Sequence, residues 1–209
     1  MLRLALTKGR IEKKAVELLS QAGYDTSDLM DKGRKLLFRI GNAPIEIVLA
    51  KAADVITYIE RGICDCGVVG KDTIMENGHS FYEVLDLGFG KCRFALAGIK
   101  GGDFYGGYSH KVIATKYPGV TREYFKNRGV DVEIVRIEGS VELAPILGFA
   151  DGIVDIVETG STLKENGLEV YEDIAKVSAR LIVNTASMKL KIDCINEFIR
   201  RIEGVLEGV

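Results

Sequence analysis

Short runs of apolar, often β-branched residues alternate with segments of helical period along almost all of the 209-residue chain. The runs predict strands at 2–6, 35–40, 45–50, 65–69, 92–97, 112–114, 132–137, 153–157 and 181–184. Between them the helical period predicts helices at 11–21, 53–61, 71–77, 122–127, 143–147, 163–166 and 193–206. Ala15, Leu18, Leu19 and Ala22 form the apolar stripe of the first helix, and Ile195, Phe198, Ile199, Ile202 and Leu206 that of the last. Strand–helix alternation of this kind folds as α/β with mainly parallel sheets, because a parallel pair needs a crossover and a helix supplies it. The segment 35–50 is the exception and reads as a hairpin around Gly41-Asn42-Ala43-Pro44.

Length allows one large domain or two of about 100 residues each. No Pro- or Ser-rich linker marks a boundary. The Gly-rich segment holding Gly101, Gly102, Gly106 and Gly107 reads as a mobile connection, with 179–184 as the return crossing. With 47% apolar and 28% charged residues the composition is that of a soluble globular protein. A formal charge of −2 creates no basic field for nucleic acid or a membrane surface, so positive potential for an anionic ligand must be local. No apolar run approaches the length of a membrane span. The opening six residues are too short for a signal segment before Lys8-Gly9-Arg10, so a cytoplasmic location is expected. The spacing of Cys64, Cys66, Cys92 and Cys194 fits no zinc site. Cys64 and Cys66 read as buried hydrophobes on one strand face. Only two histidines exist, His79 and His110, both in surface-loop contexts, which excludes a histidine triad or a multi-histidine metal site.

Candidate chemistry concentrates where Asp151 to Leu163 read D-G-I-V-D-I-V-E-T-G-S-T-L. A buried-type strand runs directly into Glu158-Thr159-Gly160-Ser161-Thr162 and then into a helix start. Three hydroxyls around one glycine at such a junction suit a phosphate: the glycine lets backbone approach and the hydroxyls donate. The same run is also compatible with a plain capped helix. Asp155 shares a face with Ile153 and Val157, and a carboxylate inside an apolar strand needs a partner such as a ribose diol or a metal-bound sugar phosphate. Upstream, Glu138-Gly139-Ser140 and Glu142, before Pro145, repeat the theme of glycine, serine and carboxylate after a strand. Ligands of open α/β sheets gather at the carboxyl ends of strands. Lys8 and Arg10, Lys51, and Lys71 with Asp72 all follow predicted strands, and Arg34 stands before the 35–40 run.

Glu142, Gly148, Ala150, Ile153, Asp155, Ile156, Thr159-Gly160 and Thr162-Leu163 together resemble the signature of the ATP phosphoribosyltransferase family, the first enzymes of histidine biosynthesis. The resemblance extends to Leu6-Thr7-Lys8-Gly9-Arg10, Asp54 to Glu60, Gly67 to Asp72, Leu85 to Gly88 and Ala114 to Pro118, in the family's order. It implies a two-lobe type II periplasmic-binding-protein-like fold with the active site in the interlobe cleft. One lobe would comprise 1–90 plus 183–209, and the other 91–182, carrying the phosphoribosyl pyrophosphate loop. It also implies the short form, without the extra C-terminal regulatory domain of the long form.

In the implied reaction, N1 of the ATP adenine attacks the anomeric carbon of phosphoribosyl pyrophosphate, and pyrophosphate leaves with inversion. Positioning and electrostatic stabilisation carry such a step, so scarce histidine is no obstacle. The resemblance gives Lys8, Arg34, Lys51 and Asp155 catalytic roles. Arg10, Lys71, Asp72, Glu142, Glu158, Thr159, Gly160, Ser161 and Thr162 bind substrate. Mg²⁺ accompanies the polyphosphates, with its protein ligands unassigned. A homodimer is implied, and a hetero-octamer with a regulatory subunit resembling histidyl-tRNA synthetase.

Three departures stand out: Asn184-Thr185-Ala186-Ser187 where Asn-Pro-x-Ser is usual, Met188 where an aromatic is common, and Gly152 at the strand entry. They put hinge behaviour in doubt. An anion-binding protein of the same fold is the rival outside enzymes, opposed by two separate anion-binding regions. Nucleobase phosphoribosyltransferases usually carry paired acids before their phosphate loop, whereas Ile156 and Val157 separate Asp155 from Glu158 here.

Overall fold

A computed structural model describes residues 1–78, 80–107 and 110–208; His79, expected in a surface loop, lies outside them. The chain forms two compact units, Met1–Gly90 with Ser178–Val209, and Lys91–Val177. The first unit opens with β1 (Leu2–Thr7), α1 (Arg10–Gln21), α2 (Ser27–Met30), β2 (Leu37–Arg39), β3 (Ile45–Ala50), α3 (Ala52–Glu60), β4 (Cys66–Gly70), α4 (Lys71–Asn77) and β5 (Phe81–Asp86). The second unit follows as β6 (Cys92–Ile99), β7 (Lys111–Thr115), α5 (Pro118–Asn127), β8 (Val132–Arg136), α6 (Leu143–Ile146), β9 (Gly152–Val157), α7 (Ser161–Glu165) and β10 (Leu168–Val177). The chain then re-enters the first unit as β11 (Ala179–Asn184), α8 (Thr185–Leu190) and α9 (Ile192–Glu207).

The first sheet has the order β2-β3-β1-β4-β11-β5 and the second β10-β6-β9-β7-β8. Strand β1 is central and buried on both faces. Leu4 and Leu6 point with Val68 and Leu181 into a core closed by Leu18, Leu19, Phe198 and Ile202 of α1 and α9. Ala5 points the opposite way, with Val69 and Ile182, toward Val55, Ile56 and Ile59 of α3. Two-sided burial is why β1 is apolar without alternation from Leu4 to Leu6, after the partly buried Arg3. The second unit's core joins Ala95, Ala114 and Ile153 of the sheet to Val141, Ala144 and Leu163 around α6 and α7.

Several expectations need correction. The sheets are mixed: of nine strand pairings among the described residues, five are antiparallel. The parallel pairings are confined to β3-β1-β4 and β9-β7-β8. Strands β5 and β10 escape the apolar pattern because both are sheet edges with half-exposed side chains, and two register shifts break the alternation in β10. The Gly101–107 segment joins β6 to β7 inside the second unit, where buried Phe104 anchors it, so it is not a passage between units. The return falls at Val177 and Ser178, and all of β11 belongs to the first sheet, whereas 178–182 were expected in the second lobe. Ser178 is held in the first unit by donating to Asp86 Oδ1 at 2.7 Å and accepting from Lys71 N–H at 2.9 Å.

Cys64 and Cys66 are both buried free thiols, and burial pushes the Cys64 thiol up to about 11 and raises Cys66 as well. They do not share a face, because β4 starts only at Cys66, and they pack into opposite cores. The Asn184-Thr185-Ala186-Ser187 departure has a local explanation. Asn184 Oδ1 caps α8, accepting from Ala186 N–H at 3.0 Å and Ser187 N–H at 2.8 Å. Thr185 occupies the first helical position, where a proline is tolerated but not needed. Met188 packs against the first core.

Candidate active site

In the first unit, β3, β1 and β4 run parallel side by side, so their carboxyl ends share one sheet edge. Lys8 and Arg10 leave that edge after β1, Lys51 after β3, and Lys71 with Asp72 after β4. Lys8 N–H donates to Ala50 O at 2.9 Å, which brings Lys8 beside Lys51. Strand β2 is antiparallel to β3, and Leu49 N–H donates to Leu36 O at 2.9 Å, so the start of β2 lies at the same edge. Arg34 precedes that start in an exposed turn closed by Lys35 N–H donating to Lys32 O at 3.0 Å. All five sequence-predicted cations of this unit therefore collect at one edge.

They are not equivalent. Lys8, Arg34 and Lys51 are exposed and have no ion pair among the described residues. Lys71 is half-buried and paired with Glu83, which also meets Arg180 at 3.3 Å. Asp72 curls back so that its Oδ1 fills the space a Cβ on residue 70 would need. Gly9 sits between Lys8 and Arg10 at φ 107, a backbone that L side chains rarely adopt, and starts α1 without a side-chain cap.

In the second unit, β7, β8 and β9 run parallel, and their carboxyl ends lead into Lys116-Tyr117, the segment 137–142 and Glu158-Thr159-Gly160 respectively. Asp155 is half-buried near the end of β9, while its same-face neighbours Ile153 and Val157 enter the core. Burial is the main cause that holds the Asp155 carboxyl above its ordinary value. The Ile156 N–H pulls it back, the Glu142 charge pushes it further up, and the Lys116 ammonium pulls it back again. Glu142 is half-buried at the start of α6. The structure thus brings Asp155 and Glu142 together, close enough for the Glu142 charge to raise the cost of ionising Asp155.

The loop after β9 turns at Gly160, φ 80, which is itself the residue preceding α7. That helix has no side-chain cap, so the hydroxyls are not spent on capping. Thr159 Oγ1 and Ser161 Oγ lie 3.1 Å apart, and Ser161 N–H reaches Thr159 Oγ1 at 3.4 Å. Thr159, Ser161 and Thr162 are all exposed, while Leu163 anchors α7 in the core. Glu158 is exposed beside them. Hydroxyls presented this way can donate to an oxyanion.

Lys116 was not among the sequence candidates. Thr115 pairs with Val154 in parallel register, so Lys116 stands level with Asp155. It follows a strand as Lys8 and Lys51 do, and the same rule applied to β7 would have found it. Among the described residues no group of three or more His, Cys, Asp and Glu side chains is placed to hold a metal ion. Asp155 and Glu142 offer hard oxygen donors that suit Mg²⁺, an ion that typically completes its shell with water and phosphate oxygens.

The family model for HisG, ATP phosphoribosyltransferase, matches residues 51–204. The chain belongs to the ATP phosphoribosyltransferase family. It is 60% identical to the ATP phosphoribosyltransferase of Clostridium kluyveri over 97% of this chain and 92% of that protein. With the enzyme of Clostridium acetobutylicum it shares 58% identity over 99% of this chain and 96% of the relative. A chain of the ATP phosphoribosyl transferase (HisG:HisZ) complex from Thermotoga maritima superimposes with TM-score 0.84, at 35% identity and complete coverage of both chains. The periplasmic aliphatic sulphonate binding protein SsuA of Escherichia coli is similar in fold alone, at 11% identity and TM-score 0.61 over 98% of this chain and 72% of that one. Both family membership and this likeness accord with a two-lobe α/β fold of the type II periplasmic-binding-protein kind.

Proposed function

We infer that the chain is an ATP phosphoribosyltransferase that joins N1 of the ATP adenine to the anomeric carbon of phosphoribosyl pyrophosphate, releasing pyrophosphate in the first step of histidine biosynthesis. The observation that carries this reading is the pairing of Asp155 and Glu142 beside an uncapped hydroxyl loop, in a chain 60% identical to a named family member. Thr159, Gly160, Ser161 and Thr162, with Glu158 beside them, hold the 5′-phosphate of the phosphoribosyl group. Asp155 and Glu142 take the ribose hydroxyls, and the Asp155 charge opposes the positive charge that develops on the ribose as the pyrophosphate departs. Lys8, Arg10, Arg34 and Lys51 neutralise pyrophosphate and triphosphate oxygens, supported by Lys71 and Asp72. Where Mg²⁺ accompanies the polyphosphates it would offset leaving-group charge, and Asp155 and Glu142 are the carboxylates that would hold it in place of the ribose hydroxyls.

The HisG:HisZ complex from Thermotoga maritima supports the further reading that this chain self-associates and assembles with a regulatory subunit resembling histidyl-tRNA synthetase. A cytoplasmic site of action suits a pathway enzyme, and no helix among the described residues is long and apolar enough to cross a membrane. The test is an ultraviolet assay for phosphoribosyl-ATP with ATP, phosphoribosyl pyrophosphate and Mg²⁺. Product that requires both substrates is expected. Binding of one anion with no pyrophosphate released would instead favour an anion-binding protein.

A further inference from the structure

Glu12 is a carboxylate that the chemistry above does not use, and its side chain is only 5% exposed. It lies in the first turn of α1, among the cations of the first unit's edge. Its Oε2 accepts from Gly9 N–H at 3.3 Å, the half of a capping box that a glycine can make. Its Oε1 is paired with the Lys32 ammonium, twenty residues away in sequence. Lys32 O in turn accepts from Lys35 N–H at 3.0 Å, closing the turn that bears Arg34. One buried carboxylate therefore ties together the Lys8-Gly9-Arg10 turn, with its positive-φ glycine, and the turn carrying Arg34. Neither Lys8 nor Arg34 has an ion pair of its own among the described residues.

Capping alone does not require this arrangement, because an exposed Ser, Thr or Asp before a helix does that without burying a charge. A negative charge is also the wrong sign for a site that receives polyphosphate. Its presence is explained if it sets geometry rather than potential. We propose that Glu12, held by Lys32, is a positioning residue that fixes the Lys8 and Arg34 turns in the geometry that receives the pyrophosphate group. This rests on the reading of the first unit's edge as the polyphosphate site.

The sign of the charge makes the proposal testable. Removing a carboxylate near an anion site should tighten anion binding if only the field matters. Loss of a positioning group should loosen it, since small displacements of binding groups are costly. Binding of inorganic pyrophosphate to the full chain is measured by calorimetry for wild type, Glu12→Gln, Lys32→Gln and the double variant, with thermal unfolding followed in parallel. The expected result is affinity about tenfold weaker for Glu12→Gln, and a double variant no weaker than the worse single. Should Glu12→Gln not fold, Glu12→Asp keeps the charge but shortens the reach, and the same weakening is expected. Unchanged or tighter pyrophosphate binding in a folded Glu12 variant would overturn the brace while leaving the assignment of the edge intact. A wild-type chain that forms product yet binds no pyrophosphate would overturn the edge assignment and the brace with it.

Discussion

Asp155 carries opposed demands on stability and function. Burial raises its carboxyl, so the folded protein holds the proton more tightly than the unfolded chain does. Stability therefore falls as pH rises from the unfolded value through the folded one, and at neutral pH the ionised carboxylate costs the fold something. Asp155→Asn is expected to melt no lower than wild type at pH 7 while turnover drops at least about a hundredfold, because charge aligned with the developing ribose cation is lost. Paired melting and rate measurements check this, and a folded variant with unchanged turnover would remove Asp155 from the chemistry. Lys116 works in the opposite direction on the same group, pulling the carboxyl back toward ionisation. At this scale the sequence was most informative: a lone acid in an apolar strand, a glycine among hydroxyls and cations after strands can all be read directly. Lys116 was missed because its partner, Asp155, is 39 positions away and only the β7–β9 register places them level.

Elements bring these residues to their edges through close packing. An ideal Cβ at Gly67 of β4 would lie 2.9 Å from Val55 Cγ1 and 3.0 Å from Ile59 Cγ1, so α3 rests directly on the strand backbone there. Gly67→Ala is expected to destabilise the chain by roughly 1–3 kcal/mol through overpacking. Gly204 in α9 has nothing within 4 Å of such a Cβ, and Gly204→Ala should stabilise by roughly 0.5–1 kcal/mol. Denaturant titrations of the two variants should move in opposite directions, and equal shifts would mean that α3 does not pack as described. Interior strands and amphipathic helices were legible because two-sided burial or a 3.6-residue stripe marks the sequence itself. The edge strands β5 and β10 were not, since a strand covered on one side carries charges that mask its period.

Across the whole molecule, each unit places its candidate site residues at the carboxyl ends of a parallel strand trio, and in each a positive-φ glycine starts a helix without a side-chain cap. The regulatory reading belongs to this scale. Histidine titrated into the chain alone is expected to leave turnover unchanged, and inhibition is expected once the histidyl-tRNA synthetase-like partner is added. Strong inhibition of the isolated chain at low histidine would place the regulatory site within these 209 residues. By itself the sequence determined the α/β class, most of the interior elements, the family and nearly all the candidate side chains, because burial, period and local turn chemistry act over a few neighbouring residues. Only the tertiary structure decided that the sheets are mixed, that β11 belongs with the first sheet, that Arg34 joins Lys8 and Lys51, and that Glu12 braces their turns. Those outcomes depend on strand pairing and on contacts between distant segments, whose free energy is set by the assembled core and leaves no period in the chain.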